Sequence, residues 1–284
     1  MATILFDGIA YGMVLFVLAC GLSVTMGLMN FINLAHGAFA MAGGYVTVVL
    51  MNAFGLPFLA CLPLAFLVPG LIGLALERTL FVHVYGKSHL EQVLFTIGIV
   101  FMSVAAVDYV MGSQQQFVRL PDWLQGRSEI LGVGVGHYRA FVIAICAVLV
   151  VLLQLAVSRT RFGSQLRAAV DDARVARGLG IPVNRIFALT FATGSGLAGL
   201  GGALGAELLG LDPVFPLRFM IYFLIVVSVG GTSGLAGPFL ASLLLGIADV
   251  AGKYYVPEIG AFVIYLLMIA ILVVRPQGLL ARAR

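Results

Sequence analysis

Long apolar runs, separated by short polar or Gly/Pro-rich stretches, make up most of this chain, and those at 141–155 and 262–274 carry no charged residue. A run of about 20 apolar residues is long enough to cross a hydrocarbon layer as a helix, which satisfies its own backbone where water is absent. The punctuation predicts helical spans near 8–28, 34–52, 57–80, 91–111, 138–158, 186–209, 217–233, 236–252 and 259–275. A membrane barrel would instead read as segments of about ten residues alternating apolar and polar positions, and the unbroken runs exclude it. The expected fold is all-α, a polytopic transmembrane bundle of eight to nine spans. Two segments, N-F-I-N-L-A-H-G at 30–37 and G-G-T-S-G-L-A-G-P at 230–238, interrupt the pattern as turns or as helix breaks within the membrane.

Composition agrees with the pattern. Of 284 residues, 62% are hydrophobic and 10% charged, against about a quarter charged in an ordinary soluble domain. The first residues hold no Lys or Arg, unlike the basic start of a cleaved signal peptide, and read as a retained first span. Cys20, Cys61 and Cys146 lie singly in apolar stretches and read as small packing residues. His36, His83, His89 and His137 are too scattered for a metal site. The net charge of +4 reports membrane orientation, not nucleic-acid binding, because the basic residues fall between spans.

Their densest cluster is Arg159, Arg161, Arg167, Arg174, Arg177 and Arg185, which marks the 159–185 loop as cytoplasmic. Counting outward places Arg78, Lys87, Arg275, Arg282 and Arg284 on the same side and the N-terminus outside. The segment at about 112–137 is then external, and Pro121, Trp123 and several glycines suggest an ordered cap or interfacial helix. The whole chain, 1–284, reads as one transmembrane domain.

The 159–185 loop exceeds the two to eight residues that usually join bundle helices, so it carries structure of its own. Ser164 can cap a helix, and Leu166, Ala169, Val170, Ala173 and Ala176 recur at helical spacing as an apolar stripe. Arg167 with Asp171, and Asp171 with Arg174, are spaced to pair across the exposed edge. Gly178, Gly180 and Pro182 end the helix. Such a helix, over 164–177, fits a groove on a soluble partner, or lies on an anionic leaflet.

This loop resembles the ATPase-coupling segment of ABC importer permeases, and A-A-V-D-D-A-R-V-A-R-G-L-G-I is similar to the branched-chain amino-acid (LIV-I type) permease family. The similarity extends through M-G-L-M-N-F-I-N-L-A-H-G-A-F-A-M-A-G-G-Y, S-V-G-G-T-S-G-L-A-G-P and the closing R-P-Q-G-L. The resemblance implies a bacterial inner-membrane assembly of two permease subunits, two cytoplasmic ATPases and an external solute-binding protein. By position, Arg167, Asp171, Asp172, Ala173 and Gly180 fall on the ATPase-coupling segment. An Asp pair stands where the general importer motif has Glu-Ala-Ala. The chain lacks a G-x-x-x-x-G-K-[ST] phosphate loop, so ATP and Mg are expected to be used by the partner ATPases, with no cofactor in this chain.

Polar residues inside spans are the candidates for a translocation pathway, since burying them in lipid is costly. Asn30, Asn33 and His36 share one helical face if the helix continues, and either contact a polar solute or satisfy freed backbone groups. Ser228, Thr232 and Ser233, with Gly237 and Pro238, form a second interruption that pairs with the first. Asp212, Arg218, Lys253 and Glu258 are candidate external docking charges, and Glu207 is the deepest carboxylate by sequence. The runs of small residues read as helix-packing surfaces.

The leading expectation is an importer permease for branched-chain amino acids or for urea, short amides or small carboxylates. An ion-coupled secondary transporter is the alternative, and would require an intramembrane carboxylate; an intramembrane enzyme would require a catalytic cluster.

Overall fold

The computed structural model of the chain describes residues 1–29, 31, 33–130, 132–231 and 234–280. Among them are eleven α-helices: α1 Ala2–Met29, α2 His36–Phe54, α3 Phe58–Thr79, α4 His89–Met111, α5 His137–Arg159, α6 Arg161–Asp171, α7 Ala173–Gly178, α8 Val183–Leu209, α9 Phe215–Gly230, α10 Ala236–Tyr255 and α11 Gly260–Val274. Nine coincide with the predicted spans to within a few residues; α6 and α7 form the basic loop. Seven are long and apolar enough to cross a membrane, and α9 and α11 are shorter apolar helices.

The centre is made by α1 and α8, each of which buries 78% of its apolar window, whereas α4 and α5 bury 11%. The apolar side chains of α4 and α5, such as Leu94, Phe101, Val148 and Val151, therefore form an outer, exposed layer. Because lipid is as apolar as leucine, helices here gain little from hydrophobicity alone and must pack backbone against backbone. The sequence supplies this with glycine. A Cβ on Gly43 would strike the Gly199 backbone, one on Gly202 the Ala40 carbonyl, and one on Gly246 the Gly12 backbone. These three contacts join α2 to α8 and α10 to α1.

Both interrupted segments separate helices. After α1 ends, the chain turns back into the bundle, for His36 at the start of α2 lies beside Leu18, about three turns before the end of α1. Phe31 is buried with its ring against Phe81 and Tyr85. At the second interruption, α9 stops at Gly230 and α10 begins at Ala236. The closing R-P-Q-G-L packs beside it, where the Leu279 amide donates to the Val229 carbonyl at 2.8 Å. Two sequence motifs far apart in the chain thus meet in space.

The 112–137 segment, expected as an ordered cap or an interfacial helix, contains no α-helix among its described residues. It forms a short 3-10 turn at Asp122–Leu124 and an antiparallel hairpin, β1 Arg127–Ile130 with β2 Val133–Gly136, in which Arg127 opposes Gly136. Leu124 is buried and Trp123 meets Phe141 edge-on at 5.9 Å, so the cap is pinned to the start of α5.

Candidate functional site

The basic loop forms at the end of the bundle where α5 stops and α8 begins. Thr160, rather than Ser164, caps α6: its hydroxyl accepts from the Gly163 amide at 3.1 Å. Only glycine fits at 163, since a Cβ would meet the Val157 and Ala156 carbonyls, and this permits the sharp elbow between α5 and α6.

The expected continuous helix over 164–177 is two helices with a kink at Asp172. Asp172 has an extended backbone (φ −154°, ψ 100°) and its Oδ1 accepts from the Arg174 and Val175 amides at 2.8 and 2.9 Å. A short carboxylate competes with the helix for these amides, and in competing starts a new helix, α7. Gly180, with φ 81°, then turns the chain after α7. Asp172→Ala is expected to remove this cap at a cost of about 1 kcal/mol. Limited proteolysis at Arg174 and Arg177 should accelerate in Asp172→Ala and stay near wild type in Asp172→Asn; equal rates in all three would refute the cap.

The apolar stripe exists but faces inward. Ala169, Ala176 and Val183 are buried together, packed by Ala173, Ile181 and Phe187. The loop's own connection to α8 thus covers the face that was expected to enter a partner's groove. What points away is Asp171, Arg174, Val175, Leu179 and Gly180. Val175 and Leu179 are 57% and 76% exposed, an apolar pair beside a charged edge and outside the apolar stripe. The expected Arg167–Asp171 and Asp171–Arg174 ion pairs do not form among the described residues. Arg167 instead donates to the Val157 carbonyl, tying α6 back to α5.

Of the intramembrane candidates, Asn30, Thr232 and Ser233 lie outside the described residues. Asn33 and His36 are both buried. His36 Nε2–H donates to the Leu18 carbonyl at 2.7 Å, and the ring meets Phe223 edge-on at 6.1 Å. Asn33 Oδ1 is buried with no hydrogen-bond partner among the described residues. Ser228 is exposed on α9, and no hydrogen bond links it to Asn33 or His36 among the described residues.

The deepest carboxylate is Asp249 in α10, 1% exposed, whereas Glu207 is exposed. Its Oδ2 accepts from Lys253 Nζ at 2.6 Å, and that ammonium lies 5.8 Å from the Tyr11 ring centre. The D-V-A-G-K spacing held this pair in view; its burial was not legible. Lys253→Ala is expected to lower the melting temperature more than the double replacement Asp249→Asn with Lys253→Ala, because it strands a buried charge. A double variant no more stable than Lys253→Ala would contradict this.

At the opposite end from the loop, Asp212 pairs with Arg218 and Asp7 with Arg139. Asp212, Arg218 and Lys253 are therefore engaged within the chain, while Glu258 stays exposed. Arg127, Arg139, Tyr138 and Glu207 line a cleft of about 440 Å³ beneath the hairpin.

Residues 4–272 match the family described as branched-chain amino acid transport system, permease component. The high-affinity branched-chain amino acid transport system permease protein BraD of Pseudomonas aeruginosa is 28% identical over 98% of this chain and 95% of its own length. The corresponding LivH of Escherichia coli is 26% identical over 98% of this chain and 94% of its own. LivM of Salmonella typhimurium is 28% identical over 96% of this chain and 69% of its own. No solved structure matches.

Proposed function

Because the chain belongs to the branched-chain amino acid transport permease family, and so is a multi-pass membrane transport subunit, we propose that it is the pore-forming permease of an ATP-driven importer. It pairs with a second permease subunit, receives solute from an external binding protein, and is driven by two cytoplasmic ATPases that bind at the α6–α7 loop. The loop lies on the cytoplasmic side of a bacterial inner membrane and the N-terminus outside, by the concentration of arginines at that end. The cargo is a branched-chain amino acid, on the strength of the relatives; urea, short amides and small carboxylates are the alternatives. ATP and Mg are consumed in the partner ATPases.

The observation that carries this reading is the two-sided build of the loop. One face is packed on α8, and Arg167 ties α6 to α5. The other offers Val175 and Leu179 to a partner. A push on the free face is therefore passed to two spans, as a lever requires. Asp249, a buried carboxylate of the kind an ion-coupled transporter needs, has its charge offset by Lys253.

Asp171→Arg with Asp172→Arg tests the reading. The added positive charge and lost cap are expected to cut ATP-driven uptake by about tenfold or more while the chain still inserts. Unchanged uptake would count against docking at this loop.

A further inference from the structure

At the loop end of the bundle, Arg78 in the last turn of α3, Arg177 in α7 and Arg185 in the first turn of α8 line one cleft of about 420 Å³, floored by Ile181, Pro182 and Val183. Three guanidinium groups from separate elements repel one another unless an anion lies between them. The chain supplies little to offset this. Glu77 Oε2 lies 3.6 Å from Arg78 Nε, and its Oε1 accepts from the Tyr85 hydroxyl at 3.3 Å, so it engages one arginine and no more. Arg177 donates to the neutral Asn184 side chain at 3.3 Å. The Arg185 side chain makes no hydrogen bond or ion pair among the described residues.

The cleft sits where loop meets membrane. The two helices that supply Arg78 and Arg185 pack along each other, with Gly70 against Ala192 and Gly73 against Ser195. Toward the bilayer from these arginines, Leu71 and Ile72 on α3 and Leu189 on α8 are 63%, 42% and 50% exposed. Basic groups at the edge of an apolar helical surface match one kind of molecule: phosphate oxygens accept from the guanidinium groups while acyl chains cover the apolar side chains.

We propose that this cleft binds the phosphodiester headgroup of an anionic phospholipid, and that the bound lipid joins α7 to the ends of α3 and α8. The proposed function is needed for this inference only in assigning the leaflet as cytoplasmic. A carboxylate of the ATPase is a weaker fit, because it would leave unused the exposed apolar side chains of Leu71, Ile72 and Leu189 on the two helices that supply Arg78 and Arg185. Joined in this way, α7 cannot tilt without moving α3 and α8, and coupling strengthens with anionic lipid content.

The test uses the chain purified with its ATPases and placed in nanodiscs of phosphatidylcholine with or without phosphatidylglycerol, with retained lipids counted by native mass spectrometry after extraction. Phosphatidylglycerol is expected to be retained in preference to phosphatidylcholine. Arg185→Gln should lower its retention about fivefold, and Arg78→Gln with Arg185→Gln about thirtyfold, while Arg161→Gln, outside the cleft, leaves it unchanged. Equal retention of the two lipids by the wild-type complex overturns the proposal. So does displacement of phosphatidylglycerol by an equal concentration of inorganic phosphate, which would mark a free-anion site. Loss of the ATPases from Arg185→Gln with lipid retention unaltered also overturns it, and would give the arginines to a partner carboxylate. If the ATPases fail to co-purify with the wild-type chain, the importer reading falls, and the lipid count on the chain alone still decides this inference.

Discussion

Val175→Asp with Leu179→Asp is expected to abolish ATP-driven uptake and release the ATPases, while the chain still inserts and folds. Both side chains project from the loop, 57% and 76% exposed, and neither belongs to the buried cluster that holds the loop on α8. Their loss should not unsettle the bundle. Burying one such side chain at an interface contributes about 1.5–3 kcal/mol, and a carboxylate buried there without a partner adds a further penalty. Together they should weaken ATPase binding by at least about a hundredfold. Co-purification of tagged ATPases checks this, with melting temperature as the control for folding. Val175→Ala with Leu179→Ala should be intermediate. ATPases retained at wild-type level by the aspartate variant would show that the partner grips elsewhere.

Gly202→Leu carries the second large effect, and acts on the fold. The α2 and α8 backbones touch at Gly202 and Ala40 so closely that one added carbon meets the Ala40 carbonyl. No flexible side chain lies there to yield, so the helices must part, and the adjoining contact of Gly43 with Gly199 parts with them. Overpacking in a rigid core costs about 1–3 kcal/mol where neighbours can adjust; backbone against backbone should exceed that. The variant is expected to be absent from the monodisperse peak in size-exclusion chromatography of solubilised membranes. Gly98→Leu is the comparison: Gly98 is exposed on α4 with open space around it, and the variant should behave as wild type. Equal behaviour of the two variants would refute the close-packed α2–α8 contact.

These two cases divide what the sequence disclosed from what it did not. Span length is a demand of the bilayer on each segment separately, so α3, α5 and α8 could be placed from apolar runs alone. The runs of small residues likewise announced close packing, but not which glycine meets which helix. In the loop, helical spacing correctly grouped Ala169, Ala173 and Ala176 on one face. Spacing says which residues share a face and not what covers it; Val183, Ile181 and Phe187 cover it from the same chain, and the outward face became the opposite one. The kink was hidden for a related reason. Asp171 and Asp172 are equally able to cap a helix, and the geometry at 172 decides between them.

Among the intramembrane polar residues, burial separated what spacing joined. Asn33 and His36 are buried near one turn, and Ser228 is exposed on α9; Asn30, Thr232 and Ser233 lie outside the described residues. The Asp249–Lys253 pair had a readable spacing, yet its burial depends on α1 and α11 packing against α10, through Gly8 and Gly12 on one side and Gly260 on the other, which no local pattern encodes.

The central claim is that movement of this permease is driven by ATP through the α6–α7 loop. Its most direct test is uptake of radiolabelled leucine by proteoliposomes containing the chain, its partner permease and the ATPases, with binding protein and solute outside and ATP enclosed. Uptake is expected to require enclosed ATP, to survive collapse of ion gradients, and to be lost with Val175→Asp and Leu179→Asp. Uptake of the solute by this chain alone in ATP-free vesicles, driven by an ion gradient and indifferent to those substitutions, would contradict it.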